Sequence, residues 1–282
     1  VRIAVGFKVT PDYDALRPAD WVRLAAARGA AERAQASRYV RRSFGVFDEA
    51  ALELALRLRD ARSERGLETS LAAFTVAGRE AAPFLATLQA LGFEAAHVDP
   101  GAAGEDGRLD FAPVTTAALV AACARWLGGD VLLLGARGSP GGSGTVPFLA
   151  AESLGRPCLT DVTAIGPADG DGLRVTWTQD DGPARATVGT SCVLAIGNAV
   201  VSMLRVPTLK ERLAARDAPV QPLSPAALGV DVAAAFAREP ATIAAVATVD
   251  RRRSGAIVTG ATPREKARAL CDGHLRARLE KL

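Results

Sequence analysis

The sequence predicts an α/β fold: a doubly wound, mostly parallel sheet with an added antiparallel β-meander. Three observations lead there. Apolar strand signals alternate with helical periodicities from Val1 to Leu134, the turns between them are short, and strand signals separated by tight-turn sequences crowd the stretch after Cys158. A sheet of this kind is covered by helices on both faces and receives ligands beyond the carboxyl ends of its strands.

Val1 to Phe7 (VRIAVGF) is alternating and β-branched, and Lys8-Val9-Thr10-Pro11-Asp12 ends it in a proline turn. An Arg/Ala-rich insert over 19–38 reads as irregular or partly helical. Asp48 to Glu64 then sets Ala51, Leu52, Ala55, Leu56 and Leu58 at helical spacing behind an acidic first turn. Ser70 to Val76 is a second strand, Glu80 to Leu91 a second helix ended by Gly92, and Glu94 to Val98 a third strand. Val114 to Leu127 is a third helix and Val131 to Leu134 a fourth strand. Beyond a helix closed at Leu154-Gly155, strands are read at Cys158 to Ile165, Leu173 to Gln179, Arg185 to Val188 and Cys192 to Gly197. Asp169-Gly170-Asp171-Gly172 and Asp180-Asp181-Gly182-Pro183 are the turns that make this stretch a meander. Val206 to Gln221 is proline-bounded, basic and read as exposed. Pro263 to Leu282 is a terminal helix, with Thr262 as its N-cap and Pro263 at its first position.

Composition narrows the function. The chain has 282 residues, 49% hydrophobic and 23% charged, enough for one large domain or two small ones. Net charge is +3 with arginines spread among acids, Arg251 to Arg253 is a single short basic run, and aromatics are only 5%. Nucleic acid is therefore not an expected partner. Cys123, Cys158, Cys192 and Cys271 are far apart in sequence and read as reduced core thiols. His97 and His274 are the only histidines, so neither a histidine metal site nor a Ser-His-Asp triad has its raw material. No catalytic residue and no metal site is assigned. The opening VRIAVGF carries no basic leader and no apolar run approaches a membrane span, which makes a cytoplasmic protein the expectation.

The most informative stretch is Leu132 to Thr145, LLLGARGSPGGSGT, where an apolar strand runs into a glycine-rich loop and then a helix. Backbone amides at such a junction converge with partial positive charge and suit a phosphate. An ordinary surface loop is the alternative. No Lys-Ser/Thr follows, so this is not a Walker loop, and the spacing G-x-x-G-x-x-G-G-x-G misses the dinucleotide fingerprint.

Several separated segments together resemble the β subunit of electron transfer flavoproteins, over essentially the whole chain. VGFKVTPD at 5–12 resembles the family's opening V-x-V-K-x-V-P-D, and VFDEAALELALRLRD at 46–60 its N-P-F-D-E helix. LATLQALGFEAAHV at 85–98 is similar to the stretch after the second strand, and 132–157 keeps the length of the family's glycine-rich loop and helix. LRVPTLKERLAARDAPV at 204–220, ALGVD at 227–231 and TPREKARALCDGHL at 262–275 follow in the family's order. Departures mark a divergent member. Pro140-Gly141-Gly142 replaces Asp-Gly-Asp, Thr145 replaces Gln, Gly45-Val46 replaces Asn-Pro, Trp177 stands where the meander signature has a base, and Ser191 where a proline is usual.

The resemblance implies a Rossmann-like fold of the adenine-nucleotide-binding type. It also implies a domain over 1–231 and a helical arm over 232–282 that packs on an α subunit. The heterodimer would carry electrons from a flavin dehydrogenase to an acceptor. Its working FAD would sit mainly on the α subunit, with an AMP or second FAD in this chain. Ser143, Gly144, Thr145 and Val146 would hold the phosphate, with Arg137 and Ser139 as replacement donors. Gly6, Gly45, Val46, Phe47, Asp48 and Val76 fall where the family cradles adenine and ribose; core packing is the other reading of Gly6 and Val76. Tyr13 and Phe47 match side chains that close over the flavin, although Phe47 also suits a hydrophobic staple. Leu209 falls where the family plugs a dehydrogenase pocket, and otherwise reads as the buried side of a short helix. The terminal helix would be the arm, or a surface helix on its own domain. Competing functions are a stand-alone nucleotide enzyme using Arg137, Ser139 and Asp161, or an AMP or ATP sensor.

Overall fold

Nine strands form one sheet that grows outward in both directions from the first of them. The computed structural model describes residues 1–12, 15–26, 40–101, 108–139, 141–241, 255 and 257–280. Its strands are β1 (Arg2–Gly6), β2 (Val9–Pro11), β3 (Arg42–Phe44), β4 (Ser70–Val76), β5 (Glu94–Val98) and β6 (Val131–Gly135). β7 (Cys158–Pro167), β8 (Leu173–Gln179), β9 (Gly182–Val188), β10 (Cys192–Ile196) and β11 (Val220–Leu223) follow. Between them lie α1 (Pro18–Ala26), α2 (Val46–Ser63), α3 (Ala82–Ala90), α4 (Pro113–Trp126), α5 (Val146–Leu154), α6 (Leu209–Ala214) and α7 (Val232–Phe236). All belong to the compact unit Val1–Thr242.

The sheet order is β11-β5-β4-β1-β6-β10-β7-β8-β9, parallel from β11 to β7 and antiparallel through β8 and β9. The chain steps from β1 to β4 to β5, then returns to lay β6 against the other side of β1, so Val5 faces Ala73 on one side and Leu133 on the other. That reversal is the switch point of a doubly wound, Rossmann-like sheet, and its crevice opens beyond Gly6 and Gly135. Period-two alternation within continuously apolar strands divides the core. Ile3, Val5, Leu133 and Leu194 pack with Leu52 and Leu56 of α2, while Ala4, Leu132, Leu134 and Val193 pack with Leu119 of α4 and Ala150 of α5.

Three expectations change. Cys192 to Gly197, grouped with the meander, is β10, a parallel strand inserted between β6 and β7. All five of its residues are buried, as a strand covered on both faces requires, whereas β9 is largely exposed. The basic segment ending at Gln221 runs into β11, which pairs with β5 at the sheet edge, where Pro222 is tolerated because no further strand needs its missing N–H. Cys271 is exposed rather than a core thiol, because the terminal helix buries none of its described residues; Cys123 and Cys192 are buried as expected, and Cys158 is half-buried.

The second compact unit, Ile243–Leu282, contains α8 (Pro263–Leu270), a π-helical turn over Cys271–Leu275 and α9 (Arg276–Leu279). Thr262 caps it as expected: its hydroxyl accepts from the Glu265 amide at 3.2 Å while the Glu265 carboxylate accepts from the Thr262 amide at 3.4 Å. Leu270, Leu275 and Leu279 are exposed. Among the described residues no helix is long and apolar enough to cross a membrane.

Burial sorts the leucines by stability. Leu133→Ala, at 0% exposure in the central layer, is expected to lower the unfolding free energy by about 3–5 kcal/mol. Leu213→Ala, at 62% exposure on α6, is expected to change it by less than about 0.5 kcal/mol. Urea denaturation of the two variants checks the contrast.

Candidate functional site

Parallel strands that end side by side leave amides pointing into the crevice beyond them. Here one carboxylate takes up two of these amides. Asp48, in the first turn of α2, is buried, and its Oδ2 accepts from the Lys8 amide just past β1 at 3.0 Å. Its Oδ1 accepts from the Gly135 amide at the end of β6, also at 3.0 Å. Asp48 thus ties three chain segments together at the switch point. Burial pushes its carboxyl up to about 7, against the downward pull of the Lys8 and Gly135 amides and the Lys8 ammonium.

Glycine suits the positions around this bracket because neighbouring side chains occupy the space a Cβ would take. A Cβ at Gly45 or at Gly135 would collide with the Asp48 carboxylate, and one at Gly6 would lie 2.6 Å from Leu134 Cδ2 and 3.2 Å from Phe74 Cζ. Gly45 also precedes α2 without any side chain to cap it. Val46 beside it is 69% exposed at the mouth, and Phe47 is half-buried next to Gly135.

Lys8 connects the bracket to the glycine-rich loop. Its Nζ lies 2.7 Å from Asp110 Oδ1, and a Cβ at Gly138 would touch its Cδ at 3.5 Å. Gly141, at φ +98°, lies so close over the Asp110 carbonyl that any Cβ would collide with it. The Gly142 amide donates to the Gly138 carbonyl at 2.8 Å, and Gly144 at φ +67° turns the chain into α5. Ser143 Oγ accepts from the Thr145 hydroxyl at 3.1 Å and its amide at 3.4 Å. Thr145 stands at the N-cap without closing the helix through its own side chain. The amides of Val146 and Phe148 in the first turn therefore lie outside the helical ladder, and Pro147 between them has none. Arg137 and Ser139 are exposed on the same loop. The first-turn amides of α5, the hydroxyls of Ser143 and Thr145 and the exposed Arg137 are the kinds of group that bind an anion.

The sequence candidates fall in several places. Gly6, Gly45, Val46, Phe47 and Asp48 come together at the switch point, with Ser143, Gly144, Thr145 and Val146 at the start of α5. Val76, at the carboxyl end of β4, is half-buried and packs, like Val146, on the core layer under α4 and α5. Leu209 opens α6, which packs on α3, and is 73% exposed rather than the buried side of a short helix. Tyr13 lies outside the described residues. Asp161 sits exposed on a bulge of β7 at φ +51°, with Gly197 packed against its backbone. Among the described residues no group of three or more His, Cys, Asp or Glu is placed to hold a metal ion.

Sequence reasoning missed the Lys8–Asp110 pair and the acids of α2 beyond Asp48. Glu53 gave a signal, a carboxylate in the middle of the apolar run LELAL, and the structure gives it 4% exposure and a partner in Arg205.

A model of the family described as electron transfer flavoprotein domain matches residues 36–228. The chain is also 30% identical over 283 residues to the Escherichia coli (strain K12) protein named "Putative electron transfer flavoprotein subunit YgcR", covering 99% of this chain and 100% of that one.

Asp48 makes a pH prediction of unusual sign. Its folded pKa of about 7 lies above the ordinary 3.8, so the unfolded chain ionises first as pH rises. The stability that the protonated form contributes is fully present below about pH 4 and is lost between pH 4 and 7. Relative to Asp48→Asn, the parent chain is expected to lose up to about 1.4 kcal/mol per pH unit across that window. Thermal melts of both proteins from pH 4 to 8 measure it; a difference growing in the parent's favour would show that the amide bonds outweigh burial.

Proposed function

Since the chain belongs to the electron transfer flavoprotein family, we propose that it is the β-type subunit of a heterodimeric cytoplasmic carrier. In this reading it pairs with an FAD-bearing α subunit and contributes no catalysis of its own. The carrier takes electrons from a flavin dehydrogenase and delivers them to a downstream acceptor. The observation that supports this most is the glycine-rich loop leading from the switch point into α5, whose first-turn amides lie outside the helical ladder beside the Asp48 bracket. Electron transfer needs a cofactor held at the right place and potential, and side chains that position it.

The residues present fit an adenine nucleotide, either AMP or the adenylate half of a second FAD. The amides of Val146 and Phe148, with Gly144 and the hydroxyls of Ser143 and Thr145, would hold its phosphate, and Arg137 and Ser139 add donors. Gly6, Gly45, Val46, Asp48 and Val76 would flank the adenosine. Phe47, with Tyr13, would close against the partner's flavin and exclude water from it. FAD, when bound, supplies the one- and two-electron chemistry. This chain would fix the anion and present the docking side chains. Leu209 enters an apolar pocket on the dehydrogenase, with Lys210, Arg212 and Arg216 steering toward an acidic rim. Within 232–282, the part beyond the first compact unit would supply the arm that reaches the α subunit.

Purification of the chain alone and together with an electron transfer flavoprotein α subunit tests the reading. Flavin absorbance is expected only in the complex, and mass spectrometry of the denatured complex is expected to release AMP or FAD at one equivalent for this chain. Gly144→Val, which forces a β-branched residue to φ +67°, is expected to cut that nucleotide content at least tenfold. ATP turnover by the lone chain would instead favour a nucleotide enzyme.

A further inference from the structure

Helix α2 carries a second set of bonds beyond the crevice. Its Glu49 Oε1 accepts from the Leu204 amide at 3.0 Å, and its Glu53 Oε2 accepts from the Arg205 amide at 3.1 Å. The Arg205 guanidinium then forks onto the same carboxylate, with Nη2 donating to Oε1 at 3.0 Å and Nε to Oε2 at 3.1 Å. Its Nη1 reaches Asp60 Oδ2 at 2.7 Å, and Arg57 Nε adds a fourth arginine donor to Glu53 at 3.0 Å. Burial works against ionisation of Glu53, yet the bonds from Arg205 and Arg57 hold its carboxyl below the ordinary range.

A carboxylate at 4% exposure on the buried side of a helix is costly unless it is paired and hydrogen-bonded, and a leucine there could not make the bonds that Glu53 makes. What it secures is the start of a segment in which Leu204 packs on the core and Pro207 is buried while several apolar side chains are left in water. Met203 is 75% exposed, Val206 80%, Leu209 73% and Leu213 62%. The Thr208–Glu211 capping box stiffens the same segment from within. Apolar side chains held in water on a pinned backbone lose less entropy when they are buried against a partner.

We propose that Glu53 is a positioning residue for docking: without touching the partner, it holds through Arg205 the segment that presents Met203, Val206, Leu209 and Leu213 to the electron-donating flavoprotein. This rests on the docking role given to Leu209 above. Arg205 is spent on Glu53 and Asp60, which leaves Lys210, Arg212 and Arg216 as the charges that face an acidic partner.

The test uses the assembled heterodimer and a purified flavin dehydrogenase chosen because it reduces the wild-type heterodimer. Glu53→Gln keeps the shape and removes the charge. Its KM for the heterodimer is expected to rise at least fivefold with kcat within twofold, and amide exchange over 204–213 is expected to quicken at least tenfold, with flavin content unchanged. A merely structural role predicts a lower melting temperature with KM unchanged, which overturns the proposal. If Glu53→Gln does not fold, Asp60→Asn, which weakens the same fork from a carboxylate 43% exposed, must still raise KM about twofold; an unchanged KM there also overturns it. Leu209→Ala separates the premises. An unchanged KM in Leu209→Ala removes the docking reading and the proposal with it, whereas a raised KM there beside an unchanged one in Glu53→Gln removes the proposal alone.

Discussion

The Asp48 carboxylate is the constraint on which the crevice depends. A parallel sheet whose winding order reverses between β1 and β6 leaves the amides of Lys8 and Gly135 facing the same gap, and buried amides without partners cost about 1–3 kcal/mol each. Asp48 answers both from the first turn of α2, where the helix dipole also favours a negative group. The answer brings an acid close to the place where a phosphate is proposed. Burial moderates that conflict: a carboxyl raised to about 7 is substantially uncharged near neutral pH, so its repulsion of a neighbouring anion is smaller than that of an exposed aspartate. Loss of the family's Asp-Gly-Asp, replaced here by Pro140-Gly141-Gly142, acts in the same direction.

Two kinds of glycine build the site. Gly6, Gly45 and Gly135 are needed for room, because a methyl at any of them would overlap Leu134 or the Asp48 carboxylate. Gly144 is needed for its left-handed backbone, and Gly141 for both reasons at once. The first group leaves room for the Asp48 carboxylate and the Leu134 and Phe74 side chains; the second lets the loop turn into α5. Asp161 has the same left-handed backbone without being glycine, held by the bulge that lets β7 pair with β10 on one side and β8 on the other.

Local chemistry was legible and long-range pairing was not. Ser70–Val76, Glu94–Val98 and Leu173–Gln179 stand where alternation and turn residues put them, and the Thr262 cap and the left-handed Gly155 end their helices as read. The β10 strand carried its own warning in CVLAI, which is uniformly apolar and unlike the half-exposed strands of a meander, but its neighbours β6 and β7 are set by the return of the chain from β9. β2 and β3 are three residues each, too short for a periodic signal, and they pair across more than thirty positions. Lys8–Asp110 was invisible because each partner looks like an ordinary surface charge until the fold puts them face to face, and although Glu53 stood out within LELAL, nothing near it in sequence pointed to Arg205 as its partner.

Helix α2 unites these features. It has four acidic residues, and each bonds to something outside its own turn: Asp48 to the strand ends, Glu49 to the Leu204 amide, Glu53 to Arg205, and Asp60 to Arg205 again. Its apolar residues Leu52, Leu56 and Leu58 are wholly or almost wholly buried against the sheet, so the helix cannot shift without opening the core. At a rise of about 1.5 Å per residue, the distance along it from Asp48 to Glu53 is about 7.5 Å, less than two turns. The crevice and the segment bearing Leu209 are therefore mounted on one stiff element. A carrier that must hold a nucleotide and meet its partners at a fixed geometry gains from that shared mount, since a buried helix keeps both surfaces in register while the loops they carry diverge in sequence.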